Sequence, residues 1–169
     1  MTIPLDKQTL IKQLQLQPHL EGGYFRRTYG SGYSTTLPEL GERLLMSSIY
    51  YLLTDDSPVG YFHRNRSDIV HYWHRGHSLT YYLVGPDGRL STATLGPDLA
   101  AGEQLQLVVA GGTWKATRLS GGEFGLLSEA VAPGFEYADM ELASTAVLEA
   151  DFPELRQQQR ELLASLCKS

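Results

Sequence analysis

The sequence predicts an all-β sandwich or barrel with short helices confined to its two ends. Two observations carry that prediction. Eight or more β-like runs fill the middle of the chain, separated by Gly-, Pro- and Asp-bearing turns at spacings of about 8 to 12 residues. Helical periodicity of apolar residues occurs only near the termini.

The elements follow in order. Asp6 before KQTLIKQLQL reads as an N-cap and a short helix, with Leu10, Ile11 and Leu14 on one face, closed by Pro18. After Gly22-Gly23 comes a strand in which Tyr24, Arg26 and Thr28 share one face and Phe25, Arg27 and Tyr29 the other. The Gly-, Ser- and Thr-containing stretch with Pro38 is long enough to form a mobile loop. Leu44 to Leu53, LLMSSIYYLL, reads as a central strand buried on both faces, and Thr54 to Pro58 as a turn.

The stretch from Gly60 to Gly76, GYFHRNRSDIVHYWHRG, places His63 before a charged turn and His71 after it, with His74 and His77 close behind. Clustered imidazoles raise the question of a metal site, since neutral imidazole is the commonest ligand for transition metals. Ile69-Val70 and Tyr72-Trp73 favour strand, however, and alternation then separates His74 from His71 and His77. His74 and His77 are expected in loops or at the surface.

Leu79 to Val84 and Arg89 to Leu95 flank Gly85-Pro86-Asp87-Gly88, the clearest hairpin in the chain. A turn at Gly96-Pro97-Asp98 leads to a strand from Leu105 to Val109. Gly111-Gly112 separates that strand from Thr113 to Leu119, and Gly121-Gly122 precedes Glu123 to Val131. Asp151-Phe152-Pro153-Glu154 reads as the capped start of a C-terminal helix whose apolar stripe is Leu155, Leu162, Leu163 and Leu166. The expected organisation is one domain over 1–169: a helical segment at about 6–16, a β body at about 22–149 and a helix at about 152–167.

Composition narrows the function classes. With 42% hydrophobic and 20% charged residues over 169 positions, the chain is an ordinary globular one. Fourteen basic against nineteen acidic residues leave a net charge of −5, which argues against nucleic-acid binding. The single cysteine, Cys167, has no internal partner and reads as an inert small hydrophobe in a terminal helix. Neither a secretory apolar segment nor a run of about 18 apolar residues is present, so a cytoplasmic location away from membranes is expected. P-loop, GxGxxG, G-x-S-x-G and CxxC motifs are all lacking.

Four stretches resemble one small family. HLEGGYFR from His19 to Arg26, Ile49 to Leu53, Arg66-Ser67-Asp68, and APGFEYADMEL from Ala132 to Leu142 are similar to cupin family five, long listed as a domain of unknown function within the cupin superfamily. The resemblance spans roughly His19 to Phe152. It implies a double-stranded β-helix (cupin jelly roll) and a homodimer. Cupins usually bind metal through two histidines and a glutamate of a first motif and a histidine of a second. Laid on this sequence, those positions fall on His63, Asn65, Ile69 and Lys115. Isoleucine has no lone pair to give and a lysine ammonium adds like charge, so neither a metal nor any other cofactor is expected. A regular strand would turn His71 to the same face as Ile69, the one residue from which a shifted site could be built.

A jelly roll of this size encloses a ligand-sized pocket at one mouth. The expected lining residues are Tyr24, Arg26, His63, Trp114, Lys115 and Glu136. Arg26 and Lys115 would favour an anionic ligand, and Tyr24 and Trp114 could stack on a planar or sugar ring. The expected function is binding of a small anionic or sugar-like metabolite, with metal-independent isomerisation or epimerisation as its enzymatic form. There His63 would be the general base, Arg26 or Lys115 the enolate stabiliser, and the acid an unassigned tyrosine. The alternatives are a non-catalytic metabolite-binding module and a metal-dependent oxygenase or hydrolase.

Overall fold

The computed structural model describes residues 5–168; residues 1–4 and Ser169, included in the expected single domain, lie outside that range. Asp6 caps α1 (Lys7–Gln13) by accepting a hydrogen bond from the Thr9 N–H at 2.7 Å. There follow β1 (Gln17–Pro18), β2 (Tyr24–Gly30), β3 (Ser34–Leu37), β4 (Gly41–Leu44), β5 (Ser47–Thr54), β6 (Val59–Asn65) and β7 (Asp68–Gly76). Next come β8 (Leu79–Val84), β9 (Leu90–Leu95), β10 (Gln106–Val109), β11 (Trp114–Leu119), β12 (Phe124–Ala132) and β13 (Met140–Leu142). Two helices end the described chain, α2 (Thr145–Asp151) and α3 (Gln157–Ala164).

The strands build two facing antiparallel sheets, β1-β2-β5-β12-β7-β10 and β13-β6-β11-β8-β9, with β3-β4 as a separate hairpin. β6 and β7 belong to different sheets, so the charged turn at Arg66-Ser67 carries the chain across the sandwich. His63 and His71 therefore approach from opposite walls. Between the sheets, Tyr51, Leu53 and Leu127 from the first interleave with Leu79, Tyr81 and Leu95 from the second. Helix α1 covers the outer face of the first sheet, Leu10 packing on Leu52, Phe124 and Leu126. Helices α2 and α3 cover the outer face of the second, where Leu148, Leu163 and Leu166 meet Phe62, Val84 and Trp114. This is the cupin sandwich with helices only at its ends.

The structure differs from the sequence reading at three places. The central strand starts at Ser47, not Leu44, because Leu44 ends β4 and Leu45 and Met46 form an exposed link between the two. The stretch around Pro38 is a hairpin rather than a mobile loop. Alternating Ser34-Thr35-Thr36-Leu37 pairs with β4, and Arg43 anchors it by two bonds of 2.6 and 2.8 Å to the Asp139 carboxylate. At the other end, Asp151 finishes a helix instead of capping one. Ser144 caps α2 by accepting from the Val147 N–H, and Pro153 lies between α2 and α3 because proline cannot continue a helix. The hairpin read at Gly85-Pro86-Asp87-Gly88 is present, with Val84 opposite Leu90. His74 and His77 are exposed, His74 beside the Ser128 hydroxyl at 2.8 Å. Cys167 lies just past α3, half-buried against the helical layer. No described helix is long and apolar enough to cross a membrane.

Candidate functional site

Two polar clusters sit between the sheets. The first is built from His19-Leu20-Glu21-Gly22-Gly23, which crosses the ends of β5 and β6 at very close range. Gly22 has φ +89°, and a Cβ there would lie 2.1 Å from the Val59 carbonyl oxygen, so only glycine permits the approach. The segment is pinned by the Tyr61 N–H on the Glu21 carbonyl (2.6 Å) and by the Tyr51 hydroxyl on the Gly22 carbonyl (2.8 Å). The Glu21 carboxyl is thereby delivered to His63, with Oε2 3.2 Å from Nε2.

The tautomer of His63 follows from its other nitrogen. Nδ1 lies 2.5 Å from the Tyr61 carbonyl oxygen, which can only accept, so Nδ1 carries the proton and Nε2 presents a lone pair to Glu21. Burial lowers the His63 pKa to about 3, with the Lys115 charge pushing the same way. Burial raises Glu21 above the ordinary carboxyl range. His63 is a neutral imidazole whose buried Nε2 faces the Glu21 carboxyl without a hydrogen-bond partner among the described residues. His19 completes the group: its Nδ1 accepts from the Glu21 N–H at 3.1 Å, and burial lowers its pKa as well.

The second cluster is Lys115, His71, Glu129 and Tyr81. Lys115 stands opposite His63 in the β11–β6 register and is only 3% exposed. Its Nζ donates to His71 Nε2 at 3.3 Å and lies 3.9 Å from Glu129 Oε1. With Nε2 accepting, His71 Nδ1 carries the hydrogen and donates it to the Tyr81 hydroxyl oxygen at 3.1 Å, with Glu129 Oε1 3.2 Å away. Burial works to raise the Glu129 pKa, but the Lys115 ammonium and His71 hold it well below the usual range. Burial and Lys115 together lower His71 to about 4. At neutral pH the cluster is one cation and one carboxylate with a neutral imidazole between them.

Both clusters border a cavity of about 350 Å³ open at one end of the sandwich. Glu21, Asn65, Ile69 and Glu129 line its buried part, Phe25, Ile49 and Phe135 its apolar flank, and Gln17, Arg27, Glu136 and Tyr137 its exposed part. A larger groove of about 530 Å³ runs past Arg64, Arg66 and Asp139, but of the inner polar residues it touches only Asn65. The smaller cavity is the candidate site, because the two clusters meet there.

The residues proposed from sequence divide into three groups. Glu136 lines the cavity. His63 and Lys115 lie between the sheets, one layer behind the cavity wall. Tyr24, Arg26 and Trp114 point elsewhere, and register explains all three. In β2, Phe25 pairs with inward-facing Tyr51, so Tyr24 and Arg26 face outward. Tyr24 packs under α1 and donates to Asp56, while Arg26 bonds Gln15 and lies over the Tyr50 ring. Phe25 and Arg27 are the residues of that strand that line the cavity. Trp114 is adjacent to Lys115 and must face the opposite way; it stacks on Phe62 beneath the C-terminal helices. The expectation of an anionic ligand held by Arg26 and Lys115 loses its footing. Arg26 is outside, and the charge of Lys115 is matched by Glu129.

Sequence reasoning missed His19, Glu21 and Glu129. The signal for the first two was within the HLEGGYFR stretch, where two glycines follow an acid and a histidine. Glu129 carried no local signal beyond being a charge on the inner face of a buried strand.

The cupin metal positions can be tested against this geometry. His63, Asn65, Ile69 and Lys115 are all buried between the sheets. Ile69 offers no donor atom and Lys115 brings a positive charge to where the ion would sit, so these four residues do not fit a metal. His71 shares the inner face with Ile69 but is committed to Lys115 and Glu129. Among the described residues, no three His, Cys, Asp or Glu side chains are placed to hold an ion.

Comparison with known proteins agrees with the fold. The family described as Cupin superfamily (DUF985) matches residues 8–143. An uncharacterized protein of Saccharomyces cerevisiae is 41% identical over 150 residues, covering 80% of this chain and 74% of its own. The crystal structure of a Shewanella oneidensis protein superposes with a TM-score of 0.85 at 38% identity, covering 97% of this chain and 98% of the other. A hypothetical protein from Leishmania major superposes at 0.88 with 28% identity, covering 98% and 100%. With its two-sheet architecture and most of its length matched, the chain belongs to the DUF985 family of the cupin superfamily, cupin family five.

Proposed function

We propose that the chain binds a small organic molecule in the cavity between its sheets and transfers a proton on it, in the manner of a metal-independent isomerase or epimerase. One observation carries the reading: two carboxyl groups border the same cavity in environments that drive their proton affinities apart. Burial raises the proton affinity of Glu21, whose carboxyl lies 3.2 Å from His63 Nε2. Glu129 is kept ionised by Lys115 and His71.

In this reading the Glu21 carboxylate, made a stronger base by burial, takes a proton from the ligand and then returns one, and His63 positions it. His63 itself is a poor base at neutral pH, with a pKa of about 3 and no face on the cavity. Glu129 holds a fixed negative charge that would orient a ligand through the ligand's O–H or N–H donors. The test is a thermal-shift screen of sugars and small keto acids, followed by mass spectrometry of each binder recovered from deuterium oxide. Incorporation of solvent deuterium that Glu21→Gln abolishes, with binding retained, is the expected result. Binding without exchange in any ligand would leave a non-catalytic binding module.

We also propose that two copies associate. The support is the free edge of β10 with the exposed side chains of Tyr72, Leu105 and Val108 around it, the last 59% exposed. Light scattering at micromolar concentration should give twice the chain mass; a monomer would refute the association.

A further inference from the structure

Among the polar atoms that the cavity leaves unused are two acceptors, beside donors on His19 and Asn65. Glu129 lines the cavity as a carboxylate, with Oε1 3.2 Å from His71 Nδ1 and 3.9 Å from Lys115 Nζ. Asn65 lines the cavity, is 7% exposed, and its Oδ1 is buried without a partner. A buried acceptor is rarely left unmade, because it forfeits its bond to water. The Glu21 carboxyl adds a second acidic group nearby. Among the described residues the one Lys or Arg lining the cavity is Arg27, which is exposed, donates to the Phe135 carbonyl at 2.6 Å, and shares the cavity's exposed part with Glu136. Solvent screens a charge in that position. Lys115 does not line the cavity, and Glu129 answers its charge.

We infer that the occupant of this cavity is a molecule rich in O–H or N–H donors and free of anionic groups, a polyol or amino-polyol, selected by the acceptors of Asn65 and Glu129. This rests on the reading that the cavity is the ligand site, and it specifies the chemical class that the site admits. A carboxylate or phosphate entering beside Glu129 would meet like charge in a partly desolvated space and leave the Asn65 acceptor unpaired. A hydroxyl or ammonium satisfies both. The apolar flank of Phe25, Ile49 and Phe135 suits the C–H face of a pyranose ring.

The experiment uses four probes on one scaffold: methyl glucopyranoside, glucosamine, glucuronate and glucose 6-phosphate, with pyruvate and 2-oxoglutarate as a separate arm. Binding to the full chain is followed by ligand-observed NMR and thermal shift at low salt. The neutral and amino pyranoses are expected to bind, and the uronate and phosphate to bind at least about tenfold more weakly. Glu129→Gln should narrow that tenfold gap, and Asn65→Ser should weaken both good ligands several-fold; the wild-type series needs neither variant to fold. Uronate or phosphate binding as tightly as the neutral sugar would overturn the inference. Keto acids binding in a Glu21→Gln-sensitive way while no pyranose binds would also overturn it, yet leave the cavity reading intact. No binding by any probe at millimolar concentration would sink both.

Discussion

Replacing Lys115 by methionine tests the internal charge arrangement most directly. The side chain keeps its length, so the change removes the ammonium with little change in packing. At 3.9 Å from Glu129 Oε1, and with an effective dielectric constant near 20, the pair's attraction is about 4 kcal/mol. Breaking one partner of a buried pair costs about 3–5 kcal/mol, because the survivor stays desolvated and unpaired. The expected loss in urea unfolding at pH 8 is therefore about 3–5 kcal/mol. The pH dependence supplies the sharper signature. In the native protein Glu129 has a depressed pKa, so its stabilisation is present above about 4.5 and is lost as pH falls below that. Without Lys115, burial dominates and the Glu129 pKa rises, so the variant gains stability as acid supplies the proton. The same ammonium depresses His63 and His71, so both imidazoles also protonate more readily in the variant. The deficit should shrink steadily from pH 8 to pH 5, and Glu129→Gln added to Lys115→Met should recover much of it at pH 8. A loss below about 1 kcal/mol at pH 8, or a deficit that does not change with pH, would refute the ion-pair account.

Three further outcomes follow from the same geometry. His63 and His71 titrate at about 3 and about 4 in the folded chain against an ordinary 6.5, so their stabilisation is complete above pH 6.5 and is lost as pH falls. Urea midpoints should drop between pH 6.5 and 4 at about 1.4 kcal/mol per pH unit for each imidazole, and His71→Gln should remove its share of that slope. Gly22→Ala forces a side chain at φ +89° into the Val59 carbonyl and should cost at least about 1–3 kcal/mol in thermal unfolding. It should also displace Glu21, seen as loss of any ligand-induced shift. Trp114→Ala should cost about 3–5 kcal/mol by emptying the layer under the C-terminal helices, yet leave ligand affinity unchanged in a stability-corrected titration.

The sandwich was legible because its turns are. Gly85-Pro86-Asp87-Gly88 sets one hairpin register, and the glycine pairs at 111–112 and 121–122 mark where one strand ends and the next begins. Alternation along β2 was legible too, but not which face was the inner one. That depends on Phe25 standing opposite Tyr51, a pairing between residues far apart in sequence. Choosing Trp114 together with Lys115 ignored the same alternation, since neighbours on a strand cannot both face inward. The cluster around Glu129 was out of reach because its members come from β7, β8, β11 and β12. Only folding brings a lysine, a histidine, a tyrosine and a glutamate with no shared motif to one point.

Ile69 and Lys115 gain sense when taken together. A metal-binding cupin supplies a neutral nitrogen at the second position and an acid at the first, and the ion provides the positive centre. Here the ammonium of Lys115 is that centre, attached to the chain. An acid at position 69 would add a second carboxylate to the one that Glu129 brings from β12, directly opposite His71 in register. The lysine can balance one carboxylate and no more, so an apolar residue at 69 is what the charge count calls for. An ammonium differs from a metal ion in one chemically decisive respect: it has no empty orbital to receive a lone pair from a ligand. In the proposed function, activation of a bound molecule then comes through proton transfer and hydrogen bonding, with Glu21 as the exchanging group and Asn65 and Glu129 as acceptors.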